Sequence, residues 1–180
     1  NLGTISTVGT VGLEFYNAGT LSTLNNSGVI SGGSNAVTNQ GLVTSLINSG
    51  TVIANGSALS NGGTVSTLSN SGAINGNLTG LANNFGNIDQ LENASTGIIR
   101  GTLSGLQNSG LLGTVANAGD IVASSSGIYN NGTINLLSNS GTVGATKKVG
   151  VNDSGVLGSL VNSGVISGQT GVSLRGASTT

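Results

Sequence analysis

Large aliphatic residues return along this chain at a fixed interval, with polar residues filling the same places between them each time. The stretch 39–60, NQGLVTSLINSGTVIANGSALS, shows the unit. It opens on Asn-x-Gly, places Val43 and Leu46, repeats the opening as Asn48-Ser49-Gly50, then places Val52 and Leu59 before a near-copy begins at Asn61. Aligned on the opening Asn, one apolar series reads Leu21, Val43, Val65, Ile88, Leu112, Ile134 and Leu157. A second, three residues on, reads Leu24, Leu46, Leu68, Leu91, Val115, Leu137 and Leu160. Two further series, from Ile30 through Val52 to Ile166 and from Val37 through Leu59 to Val151, bring each copy to about four large inward positions.

The polar markers keep the same step. The first falls at Asn17, Asn39, Asn61, Asn84, Asn108, Asn130 and Asp153, with spacings of 22, 22, 23, 24, 22 and 23. The second lies nine residues after each, at Asn26, Asn48, Asn70, Asn93, Asn117, Asn139 and Asn162. Two series in step over seven copies identify an internal repeat, and this decides the fold before any local assignment. A helical solenoid is excluded, because Gly at this density costs about 1 kcal/mol per helical position relative to Ala. Short β-branched segments punctuated by Asn-x-Gly predict strands joined by tight turns. In those turns Gly is expected to supply positive φ, and Asn to tolerate the left-handed region.

The predicted fold is all-β: a single-stranded parallel β-helix, or β-solenoid, of about 22 residues per coil. Coils spaced by about 4.8 Å make a rod roughly 40 Å long. The chain reads as one solenoid segment over 1–180, with an irregular first coil at 1–16, regular coils over 17–168 and an irregular end at 169–180. Because the repeat already runs at Asn1, the expectation is a piece of a longer chain. Stacking would set each marker Asn above the last, so that side-chain amides bond in a ladder along the axis. Turn conformation alone is the competing reason for those Asn residues. Departures from the period predict an extra residue around Ala82-Asn83, two within 93–97 and one near Lys147-Lys148.

Composition narrows the function classes. Charged residues are 5% of the chain, where a typical domain has about a quarter, yet 36% are apolar. Regularly spaced Ile, Leu and Val argue against both disorder and a flexible linker. A net charge of −1 and four Lys/Arg exclude a nucleic-acid partner. The absence of Cys removes disulfides, which fits a reducing compartment or an exported chain. No apolar run is long enough to span a bilayer, so direct membrane insertion by this segment is not expected.

Catalysis finds little to work with. There is no His and no Cys, so the usual nucleophile–base dyads are missing. Asp89 and Glu92 are the nearest carboxylate pair, with Asp120 on a later segment; all three read as solvated surface groups. The calcium-binding Gly-Gly-x-Gly-x-Asp pattern does not occur, so no metal, cofactor or enzymatic activity is expected. A Thr array suited to ice would need the same outward residues in every copy. Ser22-Thr23, Thr44-Ser45 and Ser66-Thr67 begin one, but Asp89-Gln90 ends it. Carbohydrate stacking would rest on Phe15, Tyr16, Phe85 and Tyr129 alone. What remains is an uncharged polar face, with Ser22, Thr23, Thr44, Ser45, Ser66 and Thr67 as the candidate contacts. Such a face suits association with copies of itself; a passive stalk displaying another domain is the alternative.

Three phrases carry a family resemblance: Leu68-Ser69-Asn70-Ser71-Gly72-Ala73-Ile74-Asn75-Gly76, Gly127-Ile128-Tyr129-Asn130-Asn131-Gly132-Thr133-Ile134 and Asn162-Ser163-Gly164-Val165-Ile166-Ser167-Gly168. They resemble the passenger repeats of Gram-negative autotransporter proteins, over roughly Asn1 to Leu174. The resemblance implies a right-handed β-helix, exported through the outer membrane and displayed on the bacterial cell surface. It also implies a non-enzymatic adhesin whose partners are copies of itself or a host-surface receptor or glycan, as in aggregation and biofilm formation. Protease and lipase members carry extra domains or Ser motifs, and this chain has no Gly-x-Ser-x-Gly. Two-partner-secreted exoproteins and phage fibres look similar as well.

Overall fold

The structure, a computed structural model, describes residues 1, 3–6 and 13–176. The expected irregularity at residues 7–12 of the first coil, and the last four residues of the expected irregular end, lie outside that range. Each coil spends its apolar residues on three strands, as in Leu42–Asn48, Thr51–Ala54 and Ser57–Asn61. Among the described residues, equivalent strands stack in parallel into three sheets of seven, eight and eight strands. We call these the long-, short- and medium-strand sheets. The apolar series align across the stack: Val43 pairs with Val65 and Leu46 with Leu68, Val52 with Ile74, and Leu59 with Leu81. The chain is a parallel β-solenoid with no helix among the described residues.

Strict alternation would put Val43 and Leu46, three residues apart, on opposite faces of a strand. Both are buried, at 1% and 2% exposure. Thr44 explains how. It is skipped by the cross-strand register, which runs Val43↔Val65 and then Ser45↔Thr67, so the strand bends there and turns Leu46 back inside. The medium-strand sheet bends the same way at Ala58, unpaired between Ser57 and Leu59. From the coil of Ala36 onward that inner corner holds only small residues, in the series Ala36, Ala58, Gly80, Gly105, Gly127 and Gly150; a Cβ on Gly150 would lie 2.6 Å from the Gly171 carbonyl oxygen.

Between the sheets runs one core in which like stacks on like. Leu68, Ile74, Leu81 and Ile88 are all at 0% exposure, and burying each such side chain contributes about 1.5–3 kcal/mol. Phe15 and Leu21 at one end, and Leu160 and Ile166 at the other, are only partly covered. The final strand, Thr170–Leu174, still pairs in register with Val149–Asp153.

The turns hold a correction. The glycines that close the marker turns, from Gly19 and Gly28 to Gly155 and Gly164, adopt no φ between +20° and +160°, so positive φ is not why Asn-x-Gly recurs. Close approach is the reason. A Cβ on Gly50 would sit 2.1 Å from the carbonyl oxygen of Gly28 in the coil below, and one on Gly72 would sit 2.1 Å from that of Gly50. The Asn residues are not left-handed either; the one non-Gly residue with positive φ among those described is Phe85, at 63°.

Candidate functional site

Two of the three corners begin at a buried Asn, and these build the amide columns. At the corner between the long- and short-strand sheets, Asn26 Nδ2 donates to Asn48 Oδ1 at 2.8 Å, and the bond repeats through Asn70, Asn93 and Asn117 at the same length. Asn117 donates to Asn139 at 2.7 Å and Asn139 to Asn162 at 2.8 Å. Asn1 joins at the start, donating to Asn26 at 3.0 Å; the marker pattern did not reach it. At the corner between the medium- and long-strand sheets the order is Asn17, Asn39, Asn61, Asn83, Asn108 and Asn130, each donating to the next at 2.8 Å.

Each amide does more than bridge coils. Asn39 Nδ2 also donates to the Gly41 carbonyl of its own turn and to the Thr64 carbonyl of the next coil, both at 3.1 Å. The donors all point the same way along the chain, so successive dipoles align and polarise one another. An unpaired amide at such a position would lose its hydration without return.

Asn84 is not in the column; Asn83 is. Asn83 closes the strand Thr79–Asn83 and sits 22 residues after Asn61. Hence the extra residue follows the marker, in Asn84-Phe85-Gly86, rather than preceding it at Ala82-Asn83, and the next interval widens to 25. Exposed Asn84 instead donates to Ser60 Oγ at 3.1 Å. Counting from the buried Leu81 would have selected Asn83, since Leu59 stands in the same relation to Asn61.

The same column ends at Asp153. Asn130 Nδ2 donates to Asp153 Oδ1 at 2.6 Å, while the fully buried Asp153 Oδ2 has no partner. Its register neighbour in the next coil is Leu174, so no amide follows.

The outer polar residues lie together on the long-strand sheet. Thr23, Ser45 and Thr67 are direct register neighbours, and the column continues as Gln90, Thr114, Leu136 and Ser159. Ser22, Thr44 and Ser66 occupy the unpaired bend beside them. Ser22, Thr23 and Thr44 are exposed, whereas Ser45, Ser66 and Thr67 are half-buried. Asp89, at the same bend, accepts from Asn87 Nδ2 at 2.7 Å. Among the described residues no three carboxylates gather closely enough to hold a metal ion. No protein-family model, curated protein or solved structure matches the chain.

Proposed function

We propose that this chain is a non-enzymatic adhesion segment of an autotransporter-like passenger on a bacterial surface, associating with copies of itself through the outside of the long-strand sheet. One observation carries the reading: uncharged hydroxyl and amide side chains stand in register, one strand spacing apart, on adjacent strands from Thr23 through Ser45 and Thr67 to Gln90. Each contact between two such faces is weak, but a solenoid repeats it along its axis, and avidity multiplies the result. With a net charge of −1, almost no repulsion opposes approach. A host-surface receptor or glycan would meet the same face. The competing role is a passive stalk, favoured by the break in the column at Leu136.

Sedimentation velocity over a wide concentration range tests this. The triple substitution Thr23→Lys, Ser45→Asp and Thr67→Lys places opposite charges on register neighbours, which the sheet tolerates, while hydrating the face strongly. Association in the wild type that disappears in this variant, but survives Ser31→Lys with Ile53→Glu on the short-strand sheet, is the expected outcome. A clean monomer at every concentration leaves the stalk.

A further inference from the structure

The outside of the long-strand sheet is not uniform along the axis. The strand Leu42–Asn48 exposes two large aliphatic side chains, Leu42 at 36% and Ile47 at 37%. No other described strand of this sheet exposes two. The neighbouring strands, Thr20–Asn26 and Thr64–Asn70, set polar residues beside them: Thr20 and Thr64 flank Leu42, and Asn25 and Ser69 flank Ile47. An apolar centre inside a polar rim is the make-up of a protein contact surface.

The two flanking strands are also alike. Thr20, Ser22 and Thr23 face outward on one, and Thr64, Ser66 and Thr67 on the other, so both sides of the aliphatic strand present the same residues. A two-fold contact demands that likeness, because what stands on one side of the axis meets what stands on the other. A second copy turned over about the direction of the strand Leu42–Asn48, and laid face to face, satisfies it. The rods then run antiparallel, Leu42 meets Leu42, Ile47 meets Ile47, and Thr23 of each copy meets Thr67 of the other.

Charge tells against the other symmetric arrangements. Asp89 and Glu92, both exposed on the strand Asn87–Asn93, are the only charged residues in the seven strands of this sheet. Rods paired parallel and in register, or antiparallel about the acidic strand, set these carboxylates against the partner's across about 10 Å. With a Debye length of about 8 Å, that repulsion is felt. The acidic strand lies two places beyond Leu42–Asn48. An axis at Leu42–Asn48 therefore parts the two acidic strands by two spacings on each side, about 19 Å along the rods.

We propose that two copies pair about the strand Leu42–Asn48, with Leu42 and Ile47 as the apolar centre and the strand Asn87–Asn93 outside the contact. This rests on the self-association reading above and gives it a register. Three such strands cover roughly 23 by 14 Å, well below the about 800 Å² per partner of a standard interface. A single pair is accordingly weak, and many rods on one surface hold by number.

The chain has no Cys, so single cysteines report which positions face one another. Thr44→Cys, Gln90→Cys and Asn135→Cys, at exposed positions of this face, are each treated with a short bismaleimide, alongside sedimentation velocity of the wild type. Thr44→Cys should give covalent dimer about tenfold faster than the other two, because pairing holds position 44 opposite itself. Ile47→Asp added to Thr44→Cys should bring the rate down to theirs. Ile53→Asp, the same change at an exposed position of the short-strand sheet, should leave it unaltered. Matching melting points for these two variants separate lost pairing from lost folding. Equal rates at the three cysteines, a faster rate at 90 or 135, or an undiminished rate with Ile47→Asp overturns this register, while association in the centrifuge stands. A wild type that stays monomeric overturns both.

Discussion

Asn61 shows what one rung contributes. Its amide accepts from Asn39 and donates to Asn83 at 2.8 Å each, and reaches the Gly63 and Asn87 carbonyls at 3.1 and 3.3 Å. Asn61→Ala strands partners on both sides, and each buried unsatisfied group costs about 1–3 kcal/mol. The expected loss is several-fold larger than for Asn84→Ala, whose side chain is exposed and bonds only Ser60; urea midpoints of the two variants check the contrast. Asp153→Asn should act in the opposite sense. It places an N–H where Oδ2 now has no partner, and an increase of about 1–3 kcal/mol is expected. No rise in melting temperature would show that the carboxyl is satisfied in some other way. Gly50→Ala meets backbone at 2.1 Å and should prevent the local coils from closing, whereas Gly144→Ala finds only side chains at 3.3 Å or beyond. The recurrence of Gly was visible in the sequence, but its cause was not, because close approach is a property of two coils and conformation a property of one.

At the scale of strands, the four apolar series were legible because each is a large side chain at a constant place. The fifth inner series, Ala36, Ala58, Gly80 and their successors, was not, since small residues also crowd the turns. Bends at Thr44 and Ala58 make the difference: they let Val43 and Leu46, three residues apart, and the adjacent Ala58 and Leu59 all face inward, which no period-two reading anticipates. Leu91, at 0% exposure within such a stack, should cost about 2–5 kcal/mol when cut to Ala. Amide exchange would register the loss in the coils directly above and below, since each coil contacts only its neighbours. Insertions behave differently. The longer turn Asn93-Ala94-Ser95-Thr96-Gly97 keeps the rung from Asn93 to Asn117 at 2.8 Å, so the column passes beneath it undisturbed.

For the whole molecule, scarcity of charge is the governing property. Association through uncharged faces should change little between about 0.05 and 0.5 M salt, a range over which the Debye length falls several-fold. A steep salt dependence would indicate instead that Lys147, Lys148 or the few carboxylates carry the contact. Fold was readable from the repeat, but partner was not, because a repeat specifies what stacks within the chain and leaves the outer side chains free to vary. The one-way direction of the amide columns also sets how the molecule would age. Deamidation turns an Asn into a residue that still accepts but no longer donates, the state that Asp153 already occupies at the end of its column. Asn61 is followed by Gly62, the pairing most open to that chemistry in a flexible chain, yet here its amide is locked on every side. Should it convert, the rung to Asn39 survives and the rung to Asn83 is lost. Damage would therefore spread toward the C-terminal coils alone, and exchange mass spectrometry of chemically aged protein would show loosening on one side of the lesion; symmetric loosening would contradict it.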